Sequence, residues 1–123
     1  MNILAVIFGG ALGSLCRYLV AGLTNRLMGI NFPWGTLAVN LLGCFLVGAV
    51  WGFLEQHHLS FNLKLLIFTG FFGGFTTLSA FAIENVNLIR EGAIFPALAY
   101  IAATNVLGLA LVFVGFFLGK LLS

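Results

Sequence analysis

The chain alternates between long apolar stretches and short polar breaks. Four apolar stretches stand out, over residues 3–23, 33–54, 63–89 and 95–122. Each is long enough to cross the hydrocarbon core of a bilayer, which takes about 20 residues of helix. Because lipid offers no hydrogen-bond partners, helices are the expected form of each stretch. The pattern predicts an all-α membrane protein with four transmembrane helices in one domain over residues 1–123.

Glycines recur four residues apart in all four stretches. The pairs are Gly9 and Gly13, Gly48 and Gly52, Gly70 and Gly74, and Gly115 and Gly119. This spacing lets helices approach closely inside lipid. We interpret most of these glycines as packing positions in a compact helix bundle.

Composition also indicates that lipid is the main solvent. Hydrophobic residues make up 62% of the 123 residues and charged residues 7%, whereas soluble domains carry roughly 25% charged residues. Four spans use nearly the whole chain, and no nucleophile–base or metal-ligand pattern is present, so we expect no enzyme. The net charge of +2 is too small to indicate a nucleic-acid partner.

The basic residues outside the span centres are divided evenly between the two sides of the membrane. With four spans, Lys64 and Lys120 fall on one side, and Arg26 and Arg90 fall on the other. The positive-inside rule orients a chain by such residues, and this balance gives no preference. Either the chain inserts in both orientations, which would allow an antiparallel dimer, or its charges are too few for the rule to predict an orientation.

The third stretch contains a segment that weakens a helix. Gly73 and Gly74 are followed closely by the β-branched Thr76 and Thr77, and each residue type disfavours a helix for its own reason. Interrupted membrane helices often place ion sites at the freed backbone groups. We expect helix 3 to be broken near mid-membrane; the alternative is a kink in which hydroxyls bond back to the preceding turn.

Most polar side chains inside the stretches are neutral hydrogen-bond donors. They are Thr36, Asn40, Thr76, Thr77, Ser79, Thr104 and Asn105. The one acid within a stretch, Glu84, lies towards its end, whereas cation paths are usually lined by Asp or Glu. Uncharged donors therefore suit a small anion. Arg17 either adds positive potential to such a path or snorkels to the interface.

Phenylalanine offers an anion a second kind of contact. The edge of its ring is the positive part of the quadrupole. Most of the 14 phenylalanines are expected to face lipid or to pack helices, but Phe75 and Phe81 border the weakened segment. Of these, Phe81 is the candidate for contact with an anion.

Two long segments resemble the signature segments of the Fluc (CrcB) fluoride channels. They are PWGTLAVNLLG, from Pro33 to Gly43, and TGFFGGFTTLSAF, from Thr69 to Phe81. The resemblance covers essentially the whole chain. It implies an antiparallel, dual-topology homodimer in the bacterial cytoplasmic (inner) membrane. Such a channel lets fluoride leave the cell passively and so protects the cell from fluoride toxicity.

The resemblance also implies roles for single residues. Gly73 and Thr76 match backbone carbonyl ligands of a structural sodium ion at the dimer centre. Asn40 matches a pore asparagine, Phe81 a phenylalanine of the fluoride path, and Arg17 an arginine of the vestibule. The other expected pore residues are Thr36, one turn before Asn40, Thr77 and Ser79, after the break, and Thr104 and Asn105, on the fourth helix.

The chain departs from the family pattern at three positions. Leu78 stands in place of the first of two phenylalanines, Ala80 in place of a frequent threonine, and Leu109 in place of a frequent serine. These changes leave open a heterodimer in which this chain is a non-conducting subunit. A small proton-coupled exporter is a further alternative, although such carriers normally need a mid-membrane acid or histidine.

Overall fold

The computed structural model describes residues 2–123, and these are almost entirely helical. Helices α1 to α7 cover Asn2–Met28, Trp34–Leu54, Phe61–Lys64, Gly73–Phe75, Leu78–Arg90, Ile94–Ala102 and Gly108–Leu122, and wider π-helical turns cover Leu65–Phe72 and Ala103–Leu107. Four lengths are apolar and long enough to cross a membrane: span 1 (Asn2–Met28), span 2 (Trp34–Leu54), span 3 (Phe61–Arg90) and span 4 (Ile94–Leu122). The prediction of an all-α protein with four spans is confirmed.

Span 1 continues past its predicted end at residue 23. The hydroxyl of Thr24 donates to the Val20 carbonyl at 2.8 Å, so this polar residue is satisfied within the helix and does not end it. The helix ends at Met28. The next residue, Gly29, has a φ of 89°, and its N–H donates to the Asn25 carbonyl at 2.9 Å. This left-handed conformation is common for glycine just after a helix.

The four spans pack in two pairs through their glycines. Span 1 lies against the first half of span 3, and span 2 lies against span 4. A Cβ added at any of the eight glycines that are spaced four apart would come under 3.0 Å from backbone atoms of the facing span. These are Gly9, Gly13, Gly48, Gly52, Gly70, Gly74, Gly115 and Gly119. The glycine spacing thus serves close helix packing, as expected.

Alanine at Gly13 should destabilise the protein, whereas alanine at Gly22 should not. A methyl group at Gly13 would meet the Phe71 carbonyl and the Phe75 nitrogen, while Gly22 has no atom within 4 Å. We expect Gly13→Ala to cost about 2 kcal/mol, as overpacking does. Gly22→Ala should be neutral or stabilise by up to about 1 kcal/mol, because alanine favours helix. Thermal unfolding in detergent measures both; equal melting temperatures would contradict the packing.

An ion pair joins the ends of two spans. Lys120, at the end of span 4, lies 3.9 Å from the Glu55 carboxylate, which follows span 2. Because both side chains are partly exposed, the pair adds little stability. It places the end of span 2 and the end of span 4 together, as the four-span topology requires.

Candidate functional site

Two extended residues interrupt the helical geometry of span 3. Thr76 has φ and ψ of −85° and 159°, and Thr77 has −149° and 119°. The Thr77 hydroxyl accepts the Ala80 N–H at 3.2 Å and so caps α5. The Thr76 hydroxyl donates to the Phe72 carbonyl at 2.9 Å, which is the bonding expected of a kinked helix. Span 3 therefore combines the extended backbone expected of a break with the hydroxyl-to-carbonyl bond expected of a kink.

Asn40 of span 2 holds one end of this segment. Its Nδ2 donates to the Thr77 carbonyl at 3.1 Å, and its Oδ1 accepts the Thr77 N–H at 2.9 Å. The Thr77 N–H therefore does not donate to the Gly73 carbonyl, its partner in a continuous helix. The side chain is 9% exposed. Of its two amide hydrogens, one binds Thr77 and one stays available to another acceptor.

Arg17 of span 1 holds the segment from the other side. Its Nε–H donates to the Gly74 carbonyl at 3.1 Å, in a partly buried position. Arg17 is not among the residues that line the cavity described next. Its guanidinium contacts the backbone of the interrupted segment.

A cavity of about 510 Å³ lies between the interrupted segment, span 2 and span 4. Its lining includes seven residues that were predicted to belong to the pore or the sodium site. They are Asn40, Gly73, Thr76, Thr77, Phe81, Thr104 and Asn105. In the single chain the cavity is open to the surroundings. Leu78, which also lines it, is 77% exposed.

The predicted pore residues on span 4 use their polar groups differently. The Asn105 side chain donates to the Ile101 carbonyl of its own helix at 2.9 Å. The Thr104 hydroxyl oxygen is buried and has no hydrogen-bond partner among residues 2–123. Thr104 is thus the donor on this wall of the cavity that the protein itself leaves unused.

Phe81 lies beside the cavity as a half-buried ring. It packs edge-to-face against Tyr100, with ring centroids 4.8 Å apart. This contact favours one orientation of the Phe81 ring beside the cavity.

Two other predicted pore residues lie outside the cavity lining. The Thr36 hydroxyl donates to one oxygen of Glu84 at 2.9 Å. Ser79 is exposed, and its hydroxyl lies 3.4 Å from that of Thr77. Thr36 is thus engaged by Glu84, whereas Ser79 lies close to Thr77 of the cavity lining.

Glu84 has two hydrogen-bond partners that the sequence did not predict. The fully buried Tyr100 donates its hydroxyl to the second oxygen of Glu84 at 2.9 Å. Together Thr36 and Tyr100 bind both carboxylate oxygens. The position of Glu84 within a membrane span indicated that it needs a partner. The sequence alone did not indicate which donors are its partners.

Comparisons with known proteins identify the family of this chain. The family described as CrcB-like protein, Camphor Resistance (CrcB), matches residues 4–116. Three relatives carry the name fluoride-specific ion channel FluC. The one from Parabacteroides distasonis is 43% identical over 120 residues, which are 98% of this chain and 94% of the relative. That from Salinibacter ruber is 44% identical over 115 residues, 94% of this chain and 86% of the relative.

The third relative, from Agrobacterium fabrum, is 45% identical over 121 residues, 98% of this chain and 97% of its own length. The similarity thus covers the four spans and both signature segments. The chain therefore belongs to the CrcB/FluC family of fluoride channels.

Proposed function

We propose that this chain forms a fluoride-selective channel through which fluoride leaves the cell passively, protecting it from fluoride toxicity. One observation carries the proposal. The cavity beside the interrupted segment is lined by neutral donors, including Asn40, Thr77 and Thr104, and its described lining contains no carboxylate. Such donors offset the loss of hydration of an anion without binding it too tightly to leave. The name that the relatives carry supports fluoride as the anion.

The permeating ion would move by electrodiffusion along these donors. Asn40 would offer its second amide hydrogen, Thr104 its unused hydroxyl, and Phe81 the edge of its ring. Ser79 lies close to Thr77 of the lining and would extend the row of donors, as would the second amide hydrogen of Asn105. The one hydroxyl hydrogen of Thr36 is already donated to Glu84. No covalent step is involved. Membership of a channel family confirms the expectation that the chain is not an enzyme.

A second, antiparallel copy would close the open side of the cavity. Leu78 is 77% exposed there, next to polar residues that line the cavity. The balance of basic residues, Lys64 and Lys120 against Arg26 and Arg90, allows both orientations in one membrane. We propose a homodimer in the bacterial cytoplasmic membrane; a heterodimer is the competing assembly.

A structural sodium ion would bind at the dimer centre through the carbonyls of Gly73 and Thr76. The helical donors of both carbonyls are engaged elsewhere, because the Thr77 N–H binds Asn40 and the Ala80 N–H binds the Thr77 hydroxyl. Carbonyls of unwound membrane helices are typical sodium ligands, so these residues fit the ion. Two carbonyls are fewer than the roughly six oxygens that hard cations collect, and the second copy would supply more.

Fluoride efflux from liposomes should need this chain alone and no proton gradient. The protein is purified by itself and reconstituted, and a potassium ionophore balances the charge that fluoride carries. We expect the same efflux rate with and without a proton carrier that collapses any pH gradient. Efflux that stops with the proton carrier would favour the small proton-coupled exporter. Liposomes that retain their fluoride would favour the non-conducting subunit.

A further inference from the structure

Arg17 occupies one particular oxygen of the interrupted segment. Its Nε–H donates to the Gly74 carbonyl at 3.1 Å, although the two residues lie in different spans. In a continuous helix that carbonyl would accept the N–H of Leu78. The interruption ends this pairing, since α5 begins at Leu78. The guanidinium thus replaces a backbone donor that the break removes.

Gly74 lies in the chain between the two residues proposed as sodium ligands, Gly73 and Thr76. The bond to Arg17 withdraws the oxygen of Gly74 from any cation at the break. It also connects the segment to span 1, while Asn40 connects it to span 2. A hydrogen bond from a charged donor is about twice as strong as a neutral one. The backbone that carries the two proposed ligands is therefore held from two sides.

We propose that Arg17 is a positioning residue that makes the cation site at the break selective for sodium over potassium. Selectivity between cations depends on the number of oxygen ligands and on how rigidly they are held. Arg17 restricts both, because it excludes the Gly74 oxygen and holds the segment in place. This inference rests on the sodium site of the proposed function.

The charge of Arg17 has a separate effect that the test must remove. A guanidinium near the break repels every monovalent cation, so its loss would strengthen the binding of sodium and potassium alike. That contribution cancels in the ratio of the two affinities. Overall destabilisation of the fold also cancels, because it lowers the melting temperature in both salts. The ratio of sodium to potassium affinity therefore reports positioning alone.

The test measures the melting temperature of the purified protein in detergent against increasing sodium or potassium, at constant ionic strength. In the wild type, the half-maximal rise should need much less sodium than potassium. In Arg17→Met we expect this preference to fall by roughly tenfold, the loss that corresponds to one hydrogen bond from a charged donor. Arg17→Lys keeps a charged donor and should retain most of the preference. Arg26→Met, an exposed position, should retain all of it.

Each outcome decides the inference. A wild-type preference that persists in Arg17→Met would overturn the role of Arg17 and leave the sodium site standing. A wild type that responds equally to both cations would overturn the sodium site together with the inference, while fluoride efflux from the same preparation still tests the channel. If Arg17→Met gives no folded protein, Arg17→Gln replaces it. Its ratio of sodium to potassium affinity should be lower than the ratios of Arg17→Lys and Arg26→Met but still above one, the value that means no preference.

Discussion

Replacement of Asn40 by aspartate should abolish fluoride efflux. The carboxylate keeps an oxygen for the Thr77 N–H but loses the donor to the Thr77 carbonyl. It also places a negative charge beside the proposed anion path. Two unit charges about 4 Å apart repel by about 4 kcal/mol at an effective dielectric constant of 20, which corresponds to roughly a thousandfold in rate. Efflux from liposomes, followed with a fluoride electrode, should fall to the leak of empty vesicles.

The matched control is Asn2→Asp. This residue is exposed at the start of α1, and it makes the same chemical change away from the cavity. Its efflux rate should equal that of the wild type. Folded Asn40→Asp protein that releases fluoride at the wild-type rate would show that Asn40 does not border the path.

A chain forced into one orientation should lose all efflux, and two oppositely forced chains together should regain it. Lysines at Gln56 and His58 add charge to the side of Lys64, and lysines at Leu27 and Met28 add charge to the side of Arg26. All four positions are exposed. Since an antiparallel dimer needs both orientations, each doubly substituted chain alone should be inactive, with a loss as complete as that of Asn40→Asp.

Efflux from cells that express one or both variants measures this. The control is a pair of glutamates at Gln56 and His58, which should leave efflux unchanged because acidic residues contribute little to orientation. Full activity from either lysine variant alone, with its orientation verified by labelling, would contradict the antiparallel dimer.

The four spans could be predicted from sequence because lipid imposes a simple rule. Every stretch that crosses it must be long, apolar and internally hydrogen-bonded. The weakened segment was also visible, since Gly73 and Gly74 followed by Thr76 and Thr77 disfavour a helix through their own backbone and side-chain preferences. Both features are local, and local features can be read from a single chain.

The contacts across spans could not be predicted in the same way. The rotation and alignment of the helices decide which carbonyl Arg17 binds. They also decide that Asn40 pairs with both backbone groups of Thr77. The partners of Glu84 depend on the same alignment. Hydropathy contains no information on it. Span 1 passed its predicted end for a related reason, because a threonine hydroxyl can be satisfied within its own helix.

The most direct test of a fluoride-selective channel is to compare two halides in one preparation. Liposomes containing the purified chain are loaded with equal fluoride and chloride, and both are followed with ion-selective electrodes after a potassium ionophore is added. We expect rapid and nearly complete loss of fluoride while chloride stays at the level of protein-free vesicles. Equal release of the two anions, or chloride alone, would contradict the proposed function.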